Sequence, residues 1–217
     1  MDPSGRYEML PIVYLHGFAS GPASSKARYF REHLERAGAE VRVPDLAAGD
    51  FEHLTLSGQL AVIARTAGGG EVALIGSSMG GYLAGLYAAR HPEVQRLVLL
   101  APAFGFARRW AERLGPEQME RWRTGGWTDV YHYALQRNCR LGFELMLDAA
   151  QYEDEPDFRQ PALMFHGATD DVVPSAASEK FAARHHNTRL EVLDSGHELL
   201  NVLDYMLPKI AAFLAEA

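Results

Sequence analysis

Three short runs in this chain carry the residue types that nucleophilic catalysis needs. The first is Gly76-Ser77-Ser78-Met79-Gly80-Gly81, a G-x-S-x-G pattern between an apolar run at Glu71–Ile75 and a stretch of helical spacing at Met79–Arg90. A serine at the tip of a sharp strand-to-helix turn is driven toward positive φ, and small neighbours are needed to avoid collision. Such a turn exposes the Ser78 hydroxyl at a helix N-terminus, where free N–H groups favour developing negative charge. The pattern also recurs by chance, and the bland alternative is a tight strand–helix connection. A phosphate-binding loop is excluded because no Gly-Lys-Ser/Thr follows.

Serine is a weak nucleophile without a base and an orienting acid. Both are available just after strand-like runs. Ala162–Phe165 is followed by His166-Gly167-Ala168-Thr169-Asp170-Asp171-Val172-Val173-Pro174, and Leu190–Leu193 by Asp194-Ser195-Gly196-His197. His197 is the expected base. Asp170 and Asp171 both qualify as the acid, and the other is expected to cap the turn or the helix that starts at Ser175. His16-Gly17-Phe18 follows the first strand, and Gly17 allows the backbone to turn an N–H toward the nucleophile. The expected oxyanion donors are the main-chain N–H groups of Phe18 and Met79. His16 is expected to brace this loop rather than to act as a second base.

These residues are far apart in sequence, so the elements between them must bring them together. Short apolar runs at Pro11–Leu15, Glu40–Val43, Glu71–Ile75, Leu97–Leu100, Ala162–Phe165 and Leu190–Leu193 alternate with segments of helical period. The helical segments are Ser25–Ala37, Leu56–Ala67, Met79–Arg90, Ser175–His185 and Leu199–Ala215. Strands apolar nearly throughout are those covered on both faces, and strand–helix alternation gives right-handed crossovers and a parallel sheet. The fold class is α/β. In such a sheet the loops after the strand C-termini share one edge, where Ser78, Asp170 and His197 can meet. From Pro102 to Pro161 no strand is predicted. All three tryptophans fall in this stretch, which reads as a helical insertion at about 103–160 forming a cap or an extra layer. Phe104, Phe106, Trp110, Trp122 and Trp127 are the expected pocket walls.

The 217 residues are expected to form a single domain, and 31 of them are Gly or Pro, an ordinary globular proportion. A net charge of −7 with no basic run argues against nucleic-acid binding. Val72–Ala89 is uncharged but holds four glycines and two serines, so it reads as strand plus helix rather than a membrane span. MDPSGRYEML lacks an apolar targeting core, and the lone Cys139 fits a reducing compartment; a cytoplasmic location is expected. No H-E-x-x-H or convergent ligand set is present, so no metal or organic cofactor is expected. The residues leave the oligomeric state open.

The order Ser, Asp, His, together with the elbow and the His-Gly-Phe loop, resembles the α/β-hydrolase superfamily from first strand to last helix. Tyr14-Leu15-His16-Gly17-Phe18-Ala19-Ser20-Gly21-Pro22-Ala23-Ser24-Ser25-Lys26-Ala27, with the elbow Gly-Ser-Ser-x-Gly-Gly-Tyr, resembles the small YqiA-like esterases. The abhydrolase-domain-10 type thioesterases are a more distant likeness. The resemblance implies that the acid is Asp170, the first aspartate of His-Gly-x-x-Asp-x-x-Val-Pro. It implies a sheet shortened to about six strands, because only about ten residues precede the oxyanion strand. It also implies a serine hydrolase acting on small-molecule carboxylic esters of small to medium acyl chains. A thioesterase using the same triad, and a catalytically silent scaffold of the same fold, are the competing readings.

Overall fold

The apolar character of the strands on both faces has a direct structural cause. In the computed structural model, which describes residues 9–216, a six-stranded parallel sheet is sandwiched between two helical layers. Its strands are β1 (Ile12–Leu15), β2 (Val41–Arg42), β3 (Val72–Ser77), β4 (Val94–Leu100), β7 (Ala162–Gly167) and β8 (Thr188–Leu193). Their order across the sheet is β2-β1-β3-β4-β7-β8, with every pairing parallel. Successive side chains point to opposite faces. Val13, Leu15, Leu74, Leu97, Leu99 and Met164 therefore enter one core, and Ile12, Tyr14, Ile75, Val98, Leu100 and Phe165 the other.

The first core is closed by α2 (Leu56–Ala67), α3 (Met79–Ala88) and α6 (Ser175–Arg184), the second by α1 (Ser25–Arg36) and α7 (Leu203–Ala215). Every residue of α3 is buried, which explains why its sequence is apolar all round rather than striped. No helix among the described residues is long and apolar enough to cross a membrane.

The segment between β4 and β7 departs from the helical expectation. It contains α4 (Phe106–Gly125), an antiparallel hairpin of β5 (Trp127–His132) and β6 (Arg137–Gly142), and the short α5 (Glu144–Ala149). Helix α4 is broken at Gly115, where φ is +75° just before Pro116. The hairpin escapes a sequence reading because its turn, Tyr133-Ala134-Leu135-Gln136, has none of the Asn-Gly or Gly-containing chemistry that marks hairpins. Gln136 takes the positive φ (+54°) that a glycine would be expected to supply. The hairpin is tied to the body of the protein at both ends. The Tyr133 N–H donates to the Ala19 carbonyl (2.8 Å) and the Gly142 N–H to the Glu52 carbonyl (2.7 Å).

Candidate active site

Ser78 lies between β3 and α3 with φ +55° and ψ −116°, a conformation rare for a residue with a side chain. The surrounding backbone holds it there: the Ser78 N–H donates to the Leu100 carbonyl (2.8 Å), and the Ser78 carbonyl accepts from the Ala103 N–H (2.9 Å). Close approach of the next turn to β1 requires Gly80, since a methyl group there would overlap the Leu15 carbonyl oxygen. Strain at the serine is thus imposed by strand ends on both sides.

The hydroxyl faces a histidine. His197 Nε2 stands 3.0 Å from Ser78 Oγ, and His197 Nδ1 stands 2.7 Å from Asp170 Oδ2. The carboxylate can only accept, so Nδ1 carries the proton and Nε2 is free to accept from the serine hydroxyl. The loops bearing the two residues are latched together. The Ala168 N–H donates to the Leu193 carbonyl (2.7 Å), and the Thr169 N–H and hydroxyl both donate to the Ser195 carbonyl (3.0 Å each). Such contact is possible because Gly167 has no side chain; a Cβ there would overlap the Ser195 and Gly196 carbonyl oxygens.

Asp170 performs two jobs that the sequence divides between two aspartates. Its Oδ2 takes His197, while its Oδ1 accepts from the N–H groups of Val172 (2.9 Å) and Val173 (2.7 Å), closing the turn before α6. Asp171 is exposed, and the N-cap of α6 is Pro174, with no side-chain cap bond. Burial by itself would raise the Asp170 pKa. Hydrogen bonds from His166, His197 and the Val173 N–H outweigh it and hold the carboxyl well below the usual carboxylate range.

His166 leads the His-Gly-x-x-Asp motif quoted above, which gives it no role. It is fully buried on β7, with Nε2 2.8 Å from the Val173 carbonyl and 3.1 Å from Asp170 Oδ2, and Nδ1 2.7 Å from Ser178 Oγ. Two acceptors at Nε2 fix the proton there, so Nδ1 accepts from the Ser178 hydroxyl. Its sequence signal is that it leads this motif, four residues before Asp170 at the end of an apolar strand. Replacing His166 by Ala is expected to lower kcat by about 10- to 100-fold with little change in KM, in line with loss of a partner that orients a reacting group. His166→Gln, which can restore an amide N–H, should recover part of the loss. An unchanged kcat would limit His166 to packing.

On the opposite side of Ser78 lies the His16–Phe18 loop. A Cβ on Gly17 would sit 3.5 Å from Ser78 Cβ, so this loop is in contact with the serine. Neither the Phe18 nor the Met79 N–H donates to a protein acceptor among the described residues. His16 is buried and braces the loop: its Nε2 accepts from the Leu46 N–H (3.2 Å), and its Nδ1–H donates to the Gly17 carbonyl (2.9 Å). Burial lowers its pKa and favours this neutral form.

The chain matches the model of an uncharacterised protein family, UPF0227, over residues 11–215. It belongs to that family. No curated protein shows significant sequence similarity to it. Among solved structures, mouse alpha/beta hydrolase domain-containing protein 10 is similar at a TM-score of 0.77, with 19% identity over 93% of this chain and 88% of that one. Est1E from Butyrivibrio proteoclasticus, solved with bound ferulic acid, is similar at 0.78, with 21% identity over 100% and 94%. A monoacylglycerol lipase from Paleococcus ferrophilus is similar at 0.73, with 18% identity over 95% and 96%. The fold of this UPF0227 protein is that of the α/β hydrolases.

The five aromatic residues expected as pocket walls in this UPF0227 chain take different places. Phe106 and Trp110, one turn apart on α4, pack on Phe18 with ring centroids 6.0 and 5.1 Å away. Trp122 stands behind Trp110 (5.1 Å) and donates its indole N–H to the Leu141 carbonyl (3.0 Å), fastening the hairpin to α4. Phe104 is buried against Phe181 of α6 (4.4 Å). Trp127 is 42% exposed with the Arg140 guanidinium over its ring, so it is a surface residue of the hairpin. Two residues absent from the sequence expectation take up positions at the loop instead. Phe51 packs on Phe18 (5.6 Å), and buried His132 meets Phe51 edge-on (4.7 Å). His16, Phe18, Leu46, Phe51, Leu54 and His132 line a hollow of about 10 Å³. Lys26, quoted above only as part of a motif, is also buried; burial lowers its pKa, against the charges of Glu198 and Asp170.

Proposed function

We propose that this UPF0227 protein is a serine hydrolase that cleaves carboxylic esters of small to medium acyl groups. The carrying observation is the continuous hydrogen-bonded relay from Ser78 through His197 to Asp170, set at a strained turn beside two unengaged backbone N–H groups. The likeness to a structure described as a monoacylglycerol lipase supports the same reading.

In this mechanism His197 Nε2 removes the Ser78 proton as Oγ attacks the acyl carbonyl carbon. Negative charge collects on the carbonyl oxygen, which accepts from the Phe18 and Met79 N–H groups; losing one such donor costs on the order of 3 kcal/mol of transition-state stabilisation. The imidazolium, held by Asp170, gives its proton to the departing alcohol as the C–O bond breaks. A water then attacks the acyl-enzyme with His197 again as base, releasing the carboxylic acid and restoring the Ser78 hydroxyl. The same steps cleave a thioester when the leaving atom is sulfur. The 103–160 segment acts as a cap, because α4 and the hairpin tip both bear on the loop that carries Phe18.

The test is a p-nitrophenyl ester series from acetate to palmitate, run beside the matching acyl-CoA thioesters. We expect serine-dependent turnover that peaks within the short-to-medium range and falls at least tenfold by palmitate. Silence across the series together with absent fluorophosphonate labelling would overturn the assignment in favour of a binding scaffold.

A further inference from the structure

Arg109 occupies the first turn of α4, three residues after Phe106 and one before Trp110, the two side chains that pack on Phe18. The loop that feeds this turn also holds the serine, through the Ala103 N–H and the Ser78 carbonyl. Arg109 Nε and Nη1 are shielded from solvent, yet neither has a hydrogen-bond partner among the described residues. Buried cationic donors without acceptors are costly, and they are rare unless something else completes them.

No nearby carboxylate is free to do so. The acidic groups within electrostatic reach are Asp170, Asp154 and Glu112, and the neighbouring cation is Arg108. Arg108 takes two of the three, donating from Nε to Asp154 (2.8 Å) and from Nη1 to Glu112 (3.0 Å). Asp170 is saturated, with two backbone N–H groups on Oδ1 and two imidazoles on Oδ2. One guanidinium beside the candidate site is therefore left over, on a chain whose net charge of −7 otherwise repels anions. Arg109 is itself only partly buried and its Nη2 is not among the shielded atoms, so a ligand can approach the guanidinium from that end.

We propose that Arg109 anchors an anionic oxygen group, a carboxylate or a phosphate, carried by the substrate at a distance from its scissile carbonyl. This rests on the serine-hydrolase reading above and narrows its substrate class to charged esters or thioesters. A carboxylate would be borne on the acyl side; phosphates would belong to a coenzyme A leaving group. Arginine suits either, since its planar, weakly hydrated cation matches both oxyanions.

Two matched pairs separate the sources: p-nitrophenyl hemiadipate against p-nitrophenyl hexanoate, and butyryl-CoA against S-butyryl-N-acetylcysteamine. In one pair the anionic member should be preferred at least tenfold in kcat/KM, mainly through KM, and the preference should shrink when salt is raised from 20 to 500 mM. In Arg109→Gln that ratio should fall at least tenfold, while Arg109→Lys should keep part of it. Binding is read separately by calorimetric titration of Ser78→Ala protein with the same anionic compounds, with and without Arg109→Gln. Loss of turnover on every substrate would defeat the hydrolase reading alone, and the titration would still decide for or against Arg109. No anionic preference in either pair and no Arg109-dependent binding, or a preference that survives Arg109→Gln, would overturn the proposal.

Discussion

Ser78→Ala is expected to remove hydrolysis by a factor of about 10⁴ to 10⁶ while leaving the protein folded, the range seen when a serine nucleophile is deleted from a triad. The side-chain oxygen has one described partner, His197 Nε2, and the strain of the turn is held by backbone bonds to Leu100 and Ala103 that alanine retains. No buried group is left stranded, because His197 Nε2 can turn to water. Thermal melting should therefore stay within a few degrees of wild type, a change of about 0.5 kcal/mol or less. Fluorophosphonate labelling, monitored by intact-protein mass, should add one adduct to wild type and none to Ser78→Ala. Labelling that persists in the variant would move the nucleophile elsewhere.

Asp170→Asn is the second large effect, and the comparison with Asp171→Asn makes it diagnostic. Asp170 holds the His197 Nδ1 proton at 2.7 Å; an amide nitrogen in that place favours the wrong tautomer, which in comparable triads lowers kcat by about 10⁴-fold. Asp171 is exposed, and its change to Asn should leave kcat within about twofold. Equal losses would mean that the acid has been misplaced. Stability gives an independent check with a definite sign. The folded-state pKa of Asp170 lies below its unfolded value of about 3.9. Its contribution is accordingly full above that pH and disappears as pH falls toward the folded pKa. The gap in urea midpoint between wild type and Asp170→Asn should be widest near neutrality and should close below about pH 4. A gap that grows on acidification would contradict the assigned ionisation.

The elements that position the site were legible because their signals are local. Both-face apolarity in β1, β3, β4 and β7 reports a covered sheet, and the glycines of the 76–81 turn report a backbone with no room for side chains. Even so, the edges were less clear than the centre. Strand β8 begins at Thr188 and β4 at Val94, earlier than their apolar runs, because Arg96 and Arg189 pair in the ladder through their backbone while their side chains interrupt the apolar pattern. In the insert the balance reverses. Thr128, Val130 and His132 alternate inward along β5, but the segment pairs with β6 through a turn without turn-forming residues, so nothing local announces a hairpin.

By itself, then, the amino-acid sequence determined the α/β layering, the glycine-framed serine turn and the chain order of the candidate nucleophile, acid and base, all set by periodicity and backbone sterics over a few residues. Only the tertiary structure decided which aspartate faces His197, that His166 shares its carboxylate, that Trp127 turns outward while Phe51 and His132 turn in, and that Arg109 is left without a partner. Apart from the His166–Asp170 pair, four residues apart, those facts depend on which distant surfaces meet. Hydrophobic pattern encodes that a residue is buried, but hydrogen-bond and charge partners across more than twenty residues are chosen by the packing of the whole chain.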